Sequence, residues 1–186
     1  MEIPILNYNQ VFSDHRGYFA PISLKYGDTS SPELRKEWLQ SNISVNPKRY
    51  TLRGLHFQTG DFAQAKLIKV VEGMIYDFVV DIREDSPNYM ELYIYDMVSG
   101  DELYVPRGFA HGFLTLKDNT IVQYLVDNVY SPESEGSIVW TEFPELVELF
   151  HKFDYNFNVS DIVVSDKDLY TKNFNNGKSI HKVTPE

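Results

Sequence analysis

Hydrophobic and polar residues alternate with a period of two along most of the middle of the chain, a pattern typical of β-strands with one buried face. Turn-forming residues interrupt the pattern at short, nearly regular intervals. We predict eight strands between these breaks, at residues 51–58, 65–71, 74–82, 91–97, 102–105, 112–116, 121–126 and 137–140. Because no helical pattern separates these strands, they predict an antiparallel sandwich or barrel.

The N-terminal part of the chain has a weaker pattern. Within residues 1–25, apolar and polar residues alternate and are interrupted by a turn-like cluster at 14–17, so a hairpin or an edge strand is expected there. Pro21 fits an edge position because it cannot donate in a central ladder. Ser31 followed by Pro32 predicts a helix start, and this helix should run to about residue 39. A short strand is predicted at 42–45.

Near the C-terminus, residues 144–153 predict one more short helix. The tail from Tyr170 is rich in Asn and Lys, lacks periodicity and is expected to be loosely held. At 186 residues, the chain should form one domain over 1–186, with a core at about 12–168 and a C-terminal tail at 169–186.

Composition narrows the choice of partner and compartment. A net charge of −10 argues against a nucleic-acid partner, because phosphate backbones bind basic surfaces. The absence of Cys excludes disulfides and thiolate chemistry and favours a reducing compartment. The N-terminus lacks the features of a signal peptide, and no apolar run approaches the length of a membrane span. A cytoplasmic protein without a membrane partner is therefore expected.

Two stretches carry residues that suggest chemistry. The first, LRGLHFQ at 52–58, places Arg53 and His56 on a predicted strand. The second, VPRGFAHGF at 105–113, contains the Pro-x-Gly-x-x-His turn of cupin barrels and supplies His111. Metal-binding cupins carry a further His at the position of Gln58, and a transition-metal site usually has three or four His, Cys or carboxylate ligands. We therefore expect neither a metal nor a cofactor.

Five segments of the chain together carry a family resemblance. They are LRGLHFQ at 52–58, KLIKV at 66–70, DFVVDIREDSP at 77–87, VPRGFAHGF at 105–113 and YSPESEG at 130–136. In this order they resemble the dTDP-4-dehydrorhamnose 3,5-epimerase family, a group of metal-independent cupins that act on nucleotide-linked 4-keto-6-deoxy sugars. The resemblance extends over about residues 12–168. It implies a mainly β, antiparallel cupin-type jelly-roll barrel with a few short peripheral helices.

The resemblance also implies an isomerase of dTDP-rhamnose biosynthesis, which inverts carbons 3 and 5 of dTDP-4-dehydro-6-deoxy-D-glucose through an enolate. Such inversion needs a base on one face of the sugar, an acid on the other and a positive group at the enolate oxygen. By resemblance, His56 is the base, Asp168 its carboxylate partner, Tyr124 the proton donor and Lys66 the cation near the enolate.

Further positions match substrate-binding residues of the family. Arg16 and Arg53 match diphosphate ligands, and His111 matches a pocket histidine that contacts the substrate. The remaining matches belong to the nucleotide end of the site: Gln40, Asn42, Tyr130, Glu135 and Lys167. The resemblance implies a nucleotide-sugar substrate and a homodimer as well.

The chain also departs from the family pattern. Pro21 stands where members commonly carry Glu, Tyr89-Met90 replaces Phe-Gly, and Glu142 replaces the Asp of a Trp-x-Asp run. These changes leave a related 3-epimerase or 5-epimerase, another sugar or nucleotide, and a non-catalytic sugar-nucleotide-binding cupin as alternatives. One geometric question is open too, because Arg53 and His56 lie on opposite faces of an ideal strand. Either a twist or bulge re-aims one of them, or Arg53 binds phosphate at the rim or in the partner subunit's site.

Overall fold

The computed structural model describes residues 5–8, 12–14, 17–19, 37–153, 157–172 and 174, the first three ranges as backbone only. Two five-stranded antiparallel sheets face each other. Sheet I has the order β1-β9-β6-β11-β4 and sheet II the order β12-β5-β10-β7-β8, while β2 and β3 form a hairpin. The prediction of a mainly β, cupin-type jelly roll with a few short helices is confirmed.

The strand and helix boundaries are as follows. The strands are β1 (Ile5–Tyr8), β2 (Phe12–Asp14), β3 (Gly17–Phe19), β4 (Gln40–Asn46), β5 (Leu52–Gln58), β6 (Lys66–Glu72), β7 (Met74–Asp81), β8 (Leu92–Val98), β9 (Asp101–Val105), β10 (Phe109–Thr115), β11 (Thr120–Val126) and β12 (Glu135–Ser137). The helices are α1 (Pro144–Phe153) and 3₁₀ turns at Gly60–Phe62, Trp140–Glu142, Val159–Asp161 and Asp166–Leu169.

Most predicted elements are confirmed to within a few residues. The helix at 144–153 is correct, with Pro144 at its first position and His151 and Lys152 in its last turn. The predicted strand at 137–140 is wrong in its extent, because β12 ends at Ser137 and Trp140 begins a 3₁₀ turn. The helix predicted at 31–39 falls largely outside the described residues, and residues 37–39 are not helical.

The core consists of two main layers. Between the sheets lie apolar side chains from both, among them Ile68 and Val122 of sheet I and Val79 and Phe113 of sheet II. A second layer covers the outer face of sheet II, where Leu146 and Phe150 of α1 pack against strand residues such as Phe78. Strands β7 and β10 are therefore buried on both faces and do not show the alternation of a one-sided sheet.

The predicted loose tail is wrong for the part that the structure describes. Ser137 and Lys172 exchange backbone hydrogen bonds of 2.8 and 2.9 Å. The Ser137 hydroxyl also donates to the carbonyl of Tyr170, and the Thr171 hydroxyl accepts from the backbone N–H of Val139. Lys172 thus forms an antiparallel bridge with Ser137 at the edge of sheet II.

Strands β5 and β10 approach each other closely at two glycines. His111 pairs with His56 and Phe113 pairs with Arg53, so the register shifts between these two pairs. A Cβ added to Gly54 would lie 2.6 Å from the Cα of Gly112 and 2.7 Å from the carbonyl oxygen of His111. The strands can keep this separation only while these positions carry no side chain.

We predict that Gly54→Ala lowers the free energy of unfolding by about 3 kcal/mol or more, because it adds a clash to an unfavourable φ of +110°. Gly60→Ala is the matched control, since Gly60 also has a positive φ but a Cβ there meets nothing within 4 Å. The control should lose only about 1–2 kcal/mol. Urea denaturation measures both losses, and equal values would contradict the close approach.

Candidate active site

A cavity of about 740 Å³ opens between the two sheets. All four predicted catalytic residues line it: His56, Lys66, Tyr124 and Asp168. Five of the predicted binding residues line it as well: Arg53, His111, Tyr130, Glu135 and Lys167. Residues separated by more than 100 positions in sequence are thus brought into one concave site.

His56 and Asp168 form a close pair. Nε2 of His56 lies 2.6 Å from Oδ1 of Asp168, whose side chain is only 3% exposed. Burial alone would raise the pKa of Asp168, but the hydrogen bond and charge of His56, with a further hydrogen bond from Ser165, lower that pKa overall. Asp168 therefore remains a carboxylate, which fixes the imidazole ring and stabilises its protonated form.

A bulge in β5 resolves the question about Arg53. Between the paired positions, β5 has two residues, Gly54 and Leu55, where β10 has only Gly112. The extra residue reverses the alternation, so Arg53 and His56 both line the cavity. Nε of Arg53 donates to Oδ1 of Asn46 at 2.8 Å, and buried Asn46 in turn donates to the carbonyl of Thr120. This arrangement fixes the guanidinium group in the wall of the cavity that His56 also lines.

Sheet I supplies the opposite wall. Lys66 on β6 donates from Nζ to the carbonyl oxygen of His56 at 3.2 Å. Desolvation by the surrounding protein lowers the pKa of Lys66 to about 8, although the charges of Asp77 and Glu135 partly oppose this shift. On β11, burial raises the pKa of Tyr124 and the nearby charge of Arg53 partly offsets that rise. Tyr124 therefore keeps its proton at neutral pH.

A second histidine–carboxylate pair lies next to the first. Nε2 of His111 is 2.8 Å from Oδ2 of Asp77, and both side chains are buried. Burial lowers the pKa of His111 and raises that of Asp77, although each partner opposes the shift of the other. Burial thus favours the uncharged forms here, whereas Asp168 beside His56 stays ionised. Similar ionisable groups placed in different surroundings in this way take different protonation states.

Sequence reasoning did not assign a role to Asp77. The signal was present, because Asp77 is a carboxylate within the otherwise apolar run of β7. A charged residue inside a strand that is buried on both faces needs a partner, and here His111 is that partner. Its second oxygen, Oδ1, has no hydrogen-bond partner within the described part of the chain.

Tyr130, Glu135 and Lys172 are grouped at the rim of the cavity. Tyr130 is 56% exposed and its hydroxyl hydrogen-bonds to Glu135. Burial, followed by the charge and hydrogen bond of Glu135, raises the pKa of Tyr130. Nζ of Lys172 lies 3.4 Å from Oε2 of Glu135. An exposed ring beside charged and polar groups suits a flat ligand that stacks on it.

Two further predicted binding residues are described by the structure but do not line the cavity. Gln40 and Asn42 are hydrogen-bonded to each other on β4, but the cavity is lined by the next residues of that strand, 43–45. Asn42 is nevertheless the strand partner of Tyr124. Arg16 lies outside the described residues. The roles of these three residues stay predictions.

Within the described ranges, no group of three or more His, Cys, Asp or Glu side chains is arranged to hold a metal ion. In the same part of the chain, no helix has the length and hydrophobicity needed to span a bilayer.

Comparison with known proteins finds matches to one protein family. The family model described as dTDP-4-dehydrorhamnose 3,5-epimerase matches residues 4–176. A curated protein of that name from Salmonella typhimurium is 39% identical over 138 residues, which cover 72% of this chain and 73% of the relative.

Solved structures give the same picture. One is the dTDP-4-dehydrorhamnose 3,5-epimerase from Bacillus anthracis, solved with TDP and PPi bound, which matches with a TM-score of 0.69 at 36% sequence identity. The match covers 89% of this chain and 90% of the Bacillus anthracis chain. ChmJ, a 3'-monoepimerase from Streptomyces bikiniensis in complex with dTDP-quinovose, has a TM-score of 0.72 at 26% identity, with coverage of 89% and 80%.

The His56–Asp168 pair predicts a specific pH dependence of stability. Because the pKa of Asp168 is lower in the folded protein than its ordinary value of 3.8, the carboxylate stabilises the fold above that pH. This contribution is lost as the pH falls through the folded-state pKa. Asp168→Asn should therefore lower the free energy of unfolding at pH 7 by about 1–3 kcal/mol. It should also weaken the loss of stability between about pH 5 and pH 2.

Denaturant unfolding across this pH range measures both effects. Asp166→Asn is the matched control, because exposed Asp166 lies on the same 3₁₀ turn. If both variants show the same pH profile, the pairing of Asp168 with His56 does not govern the stability of this segment.

Proposed function

The chain belongs to the dTDP-4-dehydrorhamnose 3,5-epimerase family and is an epimerase, and we propose that it inverts carbons 3 and 5 of dTDP-4-dehydro-6-deoxy-D-glucose to give dTDP-4-dehydro-L-rhamnose. The curated relative and the Bacillus anthracis enzyme carry the name of this reaction. ChmJ, a 3'-monoepimerase with the same fold, favours inversion at carbon 3 alone as the second candidate.

The observation that carries the proposal is the origin of the groups around the cavity. His56 comes from sheet II, whereas Tyr124 and Lys66 come from sheet I. A sugar ring held between the sheets then has a base on one face and a hydroxyl donor on the other. Inversion of a carbon requires this opposition, because the proton must leave and return on different faces.

The chemistry follows from these positions. His56 takes the proton from the carbon next to the carbonyl, and the bond electrons move onto the carbonyl oxygen to form an enolate. Lys66 stabilises this oxygen, since an amine with a pKa of about 8 is mostly protonated at pH 7. Tyr124 returns a proton to the opposite face, His56 loses its proton to solvent, and Tyr124 regains one from solvent. The same steps at the second carbon complete the double inversion.

Binding groups surround the reacting end. Arg53, held by Asn46, offers a planar pair of donors to the diphosphate. Tyr130 offers its exposed side chain to the nucleobase, and Glu135 and Lys167 line the same cavity. His111, which burial keeps uncharged, donates or accepts a hydrogen bond at the sugar. By family resemblance, Arg16, Gln40 and Asn42 extend the nucleotide end.

Proton NMR of the 4-keto sugar nucleotide in heavy water tests the function. We expect the wild-type protein to exchange the protons at carbons 3 and 5 for deuterium, because both carbons flank the carbonyl. His56→Ala should reduce this exchange by about 100-fold or more, the range attributed to a general base. Exchange at only one carbon would support a monoepimerase, and no exchange would support a binding protein.

The same spectra assign the donor. Tyr124→Phe should keep substantial exchange, because His56 is intact, but it should lose net inversion at one carbon or at both. Unchanged product stereochemistry in this variant would remove Tyr124 from the donor role. Asp166→Asn provides the control, since exposed Asp166 is not among the residues that line the cavity.

A second copy of this chain is the proposed protein partner. Within the part of the chain that the structure describes, strand β4 is an edge of sheet I, and Leu39, Ile43 and Val45 on this segment are 57%, 66% and 56% exposed. A sheet edge beside exposed apolar side chains favours pairing with another chain.

Sedimentation equilibrium should accordingly give about twice the chain mass of 21.6 kDa. Leu39→Lys should weaken the association, because it places a charge in the apolar contact. The same change at Val159, an exposed apolar residue of another segment, should not. A monomeric wild-type protein would refute the dimer.

A further inference from the structure

The side-chain amide of Gln58 forms its hydrogen bonds with backbone groups. Its Nε2 donates to the carbonyls of Phe62 at 2.7 Å and Val129 at 3.0 Å. Its Oε1 accepts from the backbone N–H of Ser131 at 2.7 Å. Two of these three contacts flank Tyr130 directly, one on each side in sequence.

Two other amide side chains reinforce the same connection. Nε2 of Gln64 donates to the carbonyl of Asn128 at 2.9 Å. Nδ2 of Asn128 donates to the carbonyls of Asp61 and Ala63 at 2.8 and 3.3 Å. Gln58, Gln64 and Asn128, here called the amide clamp, therefore tie residues 128–131 to residues 58–64.

The clamped segment has no regular secondary structure of its own. Residues 127–131 lie between β11 and β12, and within this segment the backbone groups of Asn128 and Val129 hydrogen-bond to side chains. Tyr130 is nevertheless 56% exposed and lines the cavity. An exposed ring on an irregular segment binds a flat ligand well only if the backbone beneath it is already fixed, because ordering a loop on binding reduces affinity.

The chemistry of the amide explains why glutamine suits position 58. A single side chain must supply two donors and one acceptor, and an amide supplies both kinds of group. Methionine has a similar length but would leave the carbonyls of Phe62 and Val129 and the N–H of Ser131 without these partners. Gln58 is only 7% exposed, so water cannot fully replace the lost bonds.

We infer that the amide clamp, with Gln58 at its centre, positions Tyr130 as the stacking surface for the base of the nucleotide substrate. The inference rests on the proposed function, since it assumes that Tyr130 meets the base. Gln58 does not touch the reacting atoms in this account and acts through Tyr130. Its loss should therefore weaken nucleotide binding and leave proton transfer at saturating substrate nearly unchanged.

A double-mutant cycle with thymidine diphosphate as the probe tests this inference by calorimetry. Tyr130→Ala should weaken binding about tenfold, the effect of losing one base–aromatic stack. Gln58→Met should weaken binding about five- to tenfold, and the double variant should bind no more weakly than Tyr130→Ala. With the sugar nucleotide, Gln58→Met should raise KM by a similar factor and change kcat by less than about twofold.

The outcomes separate this inference from the proposed function. If Tyr130→Ala leaves thymidine diphosphate affinity unchanged, the proposed position of the base is wrong. If Tyr130→Ala weakens binding but Gln58→Met does not, the clamp does not position Tyr130. Fully additive losses in the double variant would also overturn the inference, because they would mean that Gln58 acts independently of Tyr130.

Two further variants provide a control and a replacement for this test. Asn88→Ala removes an amide hydrogen bond to Tyr93 from a loop that does not line the cavity, and its affinity should equal that of the wild type. If Gln58→Met does not fold, Gln64→Met replaces it, because that change removes only one bond of the clamp. It should weaken binding about two- to threefold, again with no effect in the Tyr130→Ala background, and an equal effect there would refute the clamp.

Discussion

The contact between Gly54 and Gly112 is the constraint on which the site depends. Because neither residue carries a side chain, β5 and β10 come close enough for one extra residue of β5 to be accommodated opposite Gly112. The resulting change of register turns Arg53 and His56 toward the same cavity. A guanidinium group and an imidazole are thereby brought together, which an undistorted strand would have kept on opposite faces.

The electrostatic character of the site follows from two histidines on these neighbouring strands. His56 and His111 are directly paired in register, and each contacts a carboxylate from another segment. The difference lies in the surroundings, since burial of both members of the His111 pair disfavours charge, while hydrogen bonds hold Asp168 ionised. Two chemically similar pairs therefore provide one charged and one neutral environment a single strand apart.

Much of this arrangement could be predicted from the sequence. Alternation and turn residues predicted the strands, and the motif resemblance predicted nine residues that line the cavity. The bulge could not be predicted, because it depends on contact between glycines 58 positions apart. The order of residues 170–172 was missed for a similar reason, since Asn- and Lys-rich sequence carries no periodicity although its backbone pairs with Ser137. Local pattern describes elements well, whereas close approaches between elements depend on tertiary structure.

The separation of Asp168 from His56 along the sequence has a consequence for biosynthesis. The 3₁₀ turn of Asp168 lies between two anchors, the bridge of Val163 to Thr51 and that of Lys172 to Ser137. A ribosome must therefore release the chain beyond Asp168 before His56 can meet this carboxylate. A nascent chain could assemble both sheets, whose last described strand ends at Ser137, and still lack the His56–Asp168 pair, so the cavity is completed after the sheets that form it.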